Sequence, residues 1–272
     1  MKKILCVLLC MVLVLGLGAC GAKQTHVHEY SDGVCVTCGK IDPDRYANIL
    51  LIGNSYTHYN DNALARNLEA LATDAGYYVT VDQLAVSAAN LTDYLTGACA
   101  PSLTRLRTCN GYDYVVLQEQ SNGPLTEADR FFSSVKSFKS LLSNYNSPQI
   151  VMYMTWARAP GNPWLEKNGY TRQSMTDGLY QAYSQAAESV GALLAPVGLG
   201  FMDIDPTEVD MYQPDLTHPT PNGSYLAGLV MYATIFGQDP LEATYCPEEV
   251  TAKDAALLRQ AAHDAIEEAK EK

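Results

Sequence analysis

Positive charge is what this sequence has least of. Its 272 residues carry 18 Lys and Arg against 30 Asp and Glu, a formal net charge of −12. No long basic run occurs, which excludes electrostatic binding to nucleic acid, because phosphate recognition needs clustered Lys and Arg. The charged fraction is only 18% while apolar residues reach 47%, so the chain is not a disordered one and can bury a sizeable core. Internal repeats and low-complexity tracts are also missing. With five histidines in all, each can be weighed singly as a base or a ligand.

A long apolar run occurs only at the start. Lys2 and Lys3 precede the apolar stretch Ile4 to Leu17, which closes on Leu17-Gly18-Ala19-Cys20. A short apolar core ending in small residues reads as a signal peptide rather than a spanning helix. The LGAC sequence resembles the bacterial lipobox, which implies acylation of Cys20 and an extracytoplasmic protein anchored to the cell membrane by lipid. An ordinary cleaved signal and an uncleaved anchor are the other readings. The expected organisation is a leader over 1–20, a tether over 21–45 and a single large domain over 46–272.

Of the eight cysteines, Cys6 and Cys10 belong to the leader and Cys20 to the lipid. Cys99 and Cys109 flank a short loop and could pair in an exported protein, while Cys246 reads as a small buried residue. The tether contains HVHEYSDGVCVTCGK, in which His26, His28, Cys35 and Cys38 offer two imidazoles and two thiolates. That is a donor set for tetrahedral zinc, and C-x-x-C followed by Gly39 looks like a zinc knuckle. A flexible tether or a local Cys35–Cys38 disulfide would use the same residues. A closed site of this kind is structural and would take no part in catalysis.

Beyond Pro43 the pattern changes. Ile49 to Ile52 is an unbroken apolar run of the kind found in strands buried on both faces. Further runs lie at Tyr77 to Val86, Tyr112 to Gln118, Gln149 to Thr155 and Ala192 to Val197. Helical spacing separates them, most plainly over Arg172 to Val190. This alternation predicts an α/β three-layer sandwich, a parallel sheet with helices on both faces. The last segment, Val250 to Lys272, reads as an exposed helix without chemistry.

Ligand sites in such sheets lie beyond the carboxyl ends of the strands. Ser55 falls there, directly after Gly53, which ends the first run. Ala85 to Leu91 follows the second run, and Gln118, Glu119, Gln120 and Ser121 follow the third. A serine after a strand is commonly only a cap, and becomes a nucleophile when a base is found for it. The base candidate is His218, with Asp215 three residues ahead of it in PDLTHP, in a loop before a helix starting near Pro221. His58 and His263 have no acidic residue at that spacing.

GNSYT, QEQS and DLTHP, in this order on this pattern, resemble the SGNH (GDSL-like) hydrolase superfamily, and more closely a bacterial branch with Gln in the third block. The resemblance spans roughly residues 48 to 237. It implies a flavodoxin-like fold with a five-stranded parallel sheet and metal-free ester hydrolysis. Carried over, Ser55 matches the nucleophile, His218 the general base and Asp215 its orienting acid. The oxyanion donors implied are the Ser55 backbone N–H with groups of the second and third blocks. Ala88 or Ala89 stands where the family has glycine, and Gln118 or Gln120 where it has asparagine. Gln118 is the preferred choice because Q-x-x-S resembles related carbohydrate esterases.

GNSYT lacks the second glycine of G-x-S-x-G, which sets the chain apart from α/β-hydrolases. Tyr153, Trp156 and Trp164 could wall a sugar site, although packing in the core is the commoner use of such residues. The expected function is a surface-anchored serine esterase removing acyl groups, acetyl foremost, from a carbohydrate ester. A noncatalytic glycan-binding lipoprotein on the same scaffold is the alternative.

Overall fold

The structure, a computed structural model, describes residues 26–31, 33–40, 42–103 and 111–272. The expected leader, Cys20 and the Cys99–Cys109 pairing involve residues outside the described ones. Among the described residues no helix is long and apolar enough to cross a membrane.

A small antiparallel hairpin, β1 (Tyr30–Ser31) and β2 (Val34–Cys35), precedes the main sheet. The sheet is five-stranded and wholly parallel: β3 (Tyr46–Gly53), β4 (Tyr78–Ala85), β5 (Tyr114–Leu117), β6 (Gln149–Tyr153) and β7 (Leu193–Ala195). Their spatial order is β4-β3-β5-β6-β7. Numbered within the sheet this is 2-1-3-4-5, the flavodoxin-like order expected, with its switch point between β3 and β5.

The alternation along the strands explains why their sequences are apolar without interruption. Ile49, Leu51, Val116, Val151 and Tyr153 enter one core. Leu50, Ile52, Val115, Leu117, Ile150 and Met152 enter the other. Both faces are therefore covered. On the first lie α1 (Ser55–Asp74), α6 (Pro221–Phe236) and α7 (Ala252–Glu271), with α5 (Val197–Asp203) beside them. On the second lie α2 (Leu91–Leu95), α3 (Ala128–Leu142) and α4 (Arg172–Val190).

Two helices differ from the simplest reading of their sequences. The Ala-, Glu- and Lys-rich α7 is not merely an exposed element, because Ala255, Leu258, Ala261, Ala262 and Ala265 are buried. Its alanines form a helical stripe that lets it approach closely. The other is α1, which is broken after one turn. Asn60, Asp61 and Asn62 take φ of 52°, 54° and 61°, and the regular helix resumes at Ala63. Asn and Asp are the residues that tolerate this left-handed region best after glycine.

Candidate active site

Gly53 ends β3 in extended backbone, and its lack of a side chain serves packing rather than a turn. A Cβ there would overlap Gln118 Oε1 and Thr57 Oγ1. Asn54 then caps α1, its side chain accepting from Tyr56 N at 3.2 Å and donating to Ala89 O at 2.9 Å. Ser55 is the first residue of the helix, at the carboxyl end of the sheet beside the switch point.

The loop before α6 delivers the partner. His218 Nε2 lies 2.8 Å from Ser55 Oγ, and His218 Nδ1 lies 2.5 Å from Asp215 Oδ2. Asp215 Oδ1 accepts from the backbone N–H groups of Thr217 and His218, both at 2.9 Å, so one carboxylate organises the whole turn. Partial burial pushes the Asp215 carboxyl up. The hydrogen bonds from the His218 ring, the His218 N–H and the Thr217 N–H outweigh it and hold the group below the usual carboxylate value. The row fits proton removal from a hydroxyl by imidazole, with the opposite ring nitrogen fixed by a carboxylate.

The imidazole plane is held as well. The Tyr59 ring stacks on it with centroids 4.5 Å apart, and Tyr56 meets it edge-on at 5.7 Å. Tyr56 in turn stacks on Trp156, and Trp156 on Phe201, at 4.4 and 4.1 Å. Trp156 Nε1 donates to Thr217 O at 3.1 Å, and Arg158 Nη1 donates to Thr217 Oγ1 at 2.8 Å. From the other side Asn60 Nδ2 donates to Pro219 O and to Ser224 Oγ, both at 2.9 Å. The break in α1 is what turns Asn60 toward the histidine loop.

Around Ser55 opens a cleft of about 360 Å³, lined by Asn54, Tyr59, Ser87, Ala88, Gln120, Ser121, Arg158 and Thr217 among others. None of its lining residues is Val, Leu, Ile, Met or Phe. A larger hollow of about 600 Å³ lies at the opposite end of the strands, between Pro43, Tyr46, Tyr77 and Pro148. It lacks the Ser55–His218 pair, so the chemistry belongs to the smaller cleft.

The structure separates the two glutamines. Gln118 does not line the cleft, contrary to the preference drawn from Q-x-x-S. Its side chain is buried: Oε1 accepts from Asn54 N and Thr57 Oγ1 at 2.9 Å, and Nε2 donates to Asn54 Oδ1 at 3.0 Å and to Glu119 O. With both amide hydrogens engaged, it has no donor left for an oxyanion. Gln120 lines the cleft, its Oε1 accepting from Asn122 N at 2.9 Å and its Nε2 reaching only Ser121 Oγ at 3.3 Å.

Ala88 lines the cleft at φ 62°, the conformation for which glycine is the usual residue, whereas Ala89 is buried behind it. Among the described residues the N–H groups of Ser55 and Ala88 have no acceptor. Tyr153 and Trp156 are wholly buried, so they wall no sugar site, and Trp164 packs on Tyr170 and under the Arg158 guanidinium.

Three further residues have partners that the sequence did not reveal. Glu119 is fully buried, with Oε1 accepting from Gln120 N at 2.8 Å and Oε2 from Leu91 N at 3.2 Å. It thereby joins the second and third blocks. Burial raises its carboxyl to about 6 against the opposing effect of those two N–H groups and of Arg130. His263 proves to have an acidic partner, Asp239 at 2.9 Å, but the two are 24 residues apart and away from the cleft. His58 bonds Ser87 Oγ at 3.1 Å on the cleft wall.

No protein-family model matches the chain, and no curated protein does so. Among solved structures, a protein from Slackia heliotrinireducens assigned to the SGNH hydrolases matches with a TM-score of 0.61 and 32% identity, over 70% of this chain and 99% of its own. A DUF4886 family protein from Bacteroides uniformis matches with a TM-score of 0.66 and 18% identity, over 81% of this chain and 95% of its own. A GDSL-like lipase from Parabacteroides merdae matches with a TM-score of 0.53 and 15% identity, over 70% and 96%. The latter two, at such identities, share the fold. Given 32% identity across nearly the whole length of the Slackia protein, and the five-stranded sheet that carries Ser55 at its switch point, the chain belongs to the SGNH hydrolases.

Proposed function

We propose that the protein is a serine esterase that removes small acyl groups, acetyl foremost, from a carbohydrate, and that the lipid on Cys20 holds it at the outer face of the cell membrane. The observation that carries the reaction class is the row Ser55 Oγ, His218 Nε2, His218 Nδ1, Asp215 Oδ2, with its links of 2.8 and 2.5 Å at the mouth of a cleft. A serine hydroxyl is a weak nucleophile until a base takes its proton. His218 would take it as Ser55 Oγ attacks the ester carbonyl and would return it to the departing alcohol. Asp215 would stabilise the imidazolium in between. Water, deprotonated by the same histidine, would release the acyl group. The negative charge on the tetrahedral carbon's oxygen would meet the Ser55 and Ala88 N–H groups and Gln120 Nε2. Nucleophile, base and acid all come from the chain, so the reaction needs no cofactor.

The substrate class rests on the lining. A cleft of about 360 Å³ whose apolar surface comes from tyrosine rings and Ala88, without a branched or long aliphatic wall, has little room to cover a fatty acyl chain. A two-carbon acyl group needs little of that, and Gln120, Ser121, Arg158 and Tyr59 present hydrogen-bonding groups suited to a polyol. The membrane placement rests on the LGAC sequence at 17–20 alone.

The test is hydrolysis of p-nitrophenyl acetate beside the Ser55→Ala and His218→Ala variants. Both should lose roughly 10³-fold or more in kcat. Wild-type turnover at the buffer rate would defeat the esterase reading. One observation favours a noncatalytic glycan binder on this scaffold: the Cβ of Ala88 stands where the second block normally has none. Covalent labelling of Ser55 by a fluorophosphonate separates the two, because a binding module has no activated serine.

A further inference from the structure

The N-terminal hairpin is the best-defined cluster of ligand-forming side chains outside the cleft. We infer that His26, His28, Cys35 and Cys38 bind one structural zinc ion, which holds together the hairpin that packs on the end of the sheet opposite the catalytic cleft.

The four donor atoms lie within 4.8 Å of one another. His26 Nε2 is 3.3 Å from Cys35 Sγ, and His28 Nδ1 is 3.5 Å from Cys38 Sγ. A tetrahedral zinc with bonds of about 2.3 Å to sulfur and 2.0–2.1 Å to nitrogen places N and S about 3.5 Å apart, and two S atoms about 3.8 Å apart. Both imidazole–thiol pairs already sit near that separation. The remaining pairs close to it with side-chain shifts of about 1 Å, well within rotamer freedom. Two isolated imidazole–thiol hydrogen bonds would not require the two pairs to converge on a common point.

The backbone is shaped for the same purpose. Gly39 N donates to Cys35 O and Cys35 N to Lys40 O, at 2.9 and 2.8 Å, and Gly39 takes φ 70°. This C-x-x-C-G turn brings both sulfurs to one side of the hairpin. The histidines arrive from the segment that leads into β1, one binding through Nε2 and the other through Nδ1.

The hairpin also needs a staple. Its strands are two residues each, and between 26 and 42 only Gly33 and Cys35 are buried among the described residues. Val27 and Val36 are exposed. Two-stranded pieces of this size do not hold their shape in water without a metal, a disulfide or a core.

What it attaches to is visible. Gly33, at φ 76°, sits so close to the Tyr78 ring and the Gly76 carbonyl that a Cβ would come within 3.2 and 3.5 Å of them, and its own carbonyl accepts from Asp42 N at 2.9 Å. Tyr78 opens β4, whereas Ala85 at its other end precedes the cleft residue Ala88. Seven steps of about 3.3 Å put roughly 23 Å between hairpin and cleft. The zinc thus has four protein ligands, no position for substrate and no path to Ser55. Its effect is mechanical: the N-terminal attachment is fixed at one end of the sheet, and the active site faces away from it.

The test uses the full chain in detergent, purified without chelator. Elemental analysis should give about one zinc per chain, and exchange into cobalt should give the visible d–d bands and the thiolate charge-transfer band of a tetrahedral S₂N₂ site. Cys35→Ser should abolish both while p-nitrophenyl acetate hydrolysis changes by less than about twofold, since a closed remote site does no chemistry. Should that variant not fold, His26→Ala and His28→Ala keep both thiols, and each should weaken cobalt binding at least about tenfold. A chain without zinc or cobalt bands, a Cys35–Cys38 disulfide in the unreduced protein, or full metal content in Cys35→Ser would overturn the assignment. The hydrolysis readout is separate, so an inactive protein that binds zinc leaves this site standing.

Discussion

Gln118 and Gln120 are two residues apart, yet the structure gives them opposite roles, and substitution tells those roles apart. Gln118→Ala removes the acceptor for Asn54 N and Thr57 Oγ1 and the donor to Asn54 Oδ1, all inside the protein. A buried polar group stripped of its partner costs about 1–3 kcal/mol, and the vacated amide adds a cavity. Asn54 Oδ1 keeps its bond from Tyr56 N, while the Asn54 N–H and the Thr57 hydroxyl lose the acceptor they share, so with the cavity the loss is about 3–5 kcal/mol. For a domain of this size that corresponds to a drop in Tm on the order of 10 °C. Gln120→Ala removes a side chain at the cleft edge whose Nε2 has one weak partner, Ser121 Oγ at 3.3 Å. Its Tm should move by less than about 2 °C, as for other surface changes. The kcat should nevertheless fall about 10²–10³-fold, the usual cost of one oxyanion donor. Scanning fluorimetry and p-nitrophenyl acetate kinetics on both variants decide the matter. If Gln118→Ala lost kcat at an unchanged Tm while Gln120→Ala kept its rate, the separation of roles would be wrong.

The two carboxyls of the site should respond to pH with opposite signs. Asp215 is held below its ordinary value, so its contribution to stability is present above the unfolded value and is lost as pH falls through the lowered one; Asp215→Asn should flatten that acid limb of the Tm profile and cut kcat by up to about 10⁴-fold. Glu119 is raised from 4.5 to about 6 by burial, so the folded state binds its proton more tightly and stability should fall by about 2 kcal/mol in all as pH rises from below 4.5 to above 6; the decline should vanish in Glu119→Gln, and an unaltered profile would refute it. Acyl chain length is a third check: p-nitrophenyl esters should be cleaved best as acetate and should lose kcat/KM steadily beyond butyrate, whereas a preference for octanoate would contradict a lining without aliphatic walls.

Much of the fold was legible because strands covered on both faces must be apolar at every position. The runs at 49–52, 112–118 and 149–155 needed no alternation to be found, and the structure uses their odd and even residues in separate cores. Of the site, the residue types and order of Ser55, Asp215 and His218 could be read, since an Asp three residues before a His can serve both its ring and its backbone N–H. What could not be read was the direction of side chains past the end of a strand. Inside β5, residues two apart share a face. The strand ends at Leu117, so the rule lapses where Gln118 and Gln120 sit. The α7 helix misled for another reason: alanine is apolar enough to bury yet small enough to look like surface filler, and only its spacing at 255, 258, 261, 262 and 265 marks the buried stripe.

Asn60 was beyond reach for the deepest reason, because its meaning lies in a partner 159 residues away. Locally HYNDN looks like a polar first turn of a helix, and the left-handed backbone at 60–62 carries no signature beyond the Asn and Asp that tolerate it. Yet Asn60 links the serine's helix to Pro219, directly after the histidine, and to Ser224 in the helix that follows, so the Ser55–His218 distance depends on it. Asn60→Gly isolates that link, since glycine accepts the same φ without strain while its hydrogen bonds disappear. The turn should survive and stability should fall by only about 1 kcal/mol. The kcat should drop about tenfold or more with KM little changed, because a nucleophile and base displaced by even a fraction of an ångström lose alignment before they lose binding. Asn60→Asp, which keeps the shape but turns the donor into an acceptor facing Pro219 O, should be worse than glycine. If Asn60→Gly kept full kcat, the histidine loop would be held without it, by Trp156, Arg158 and Asn162.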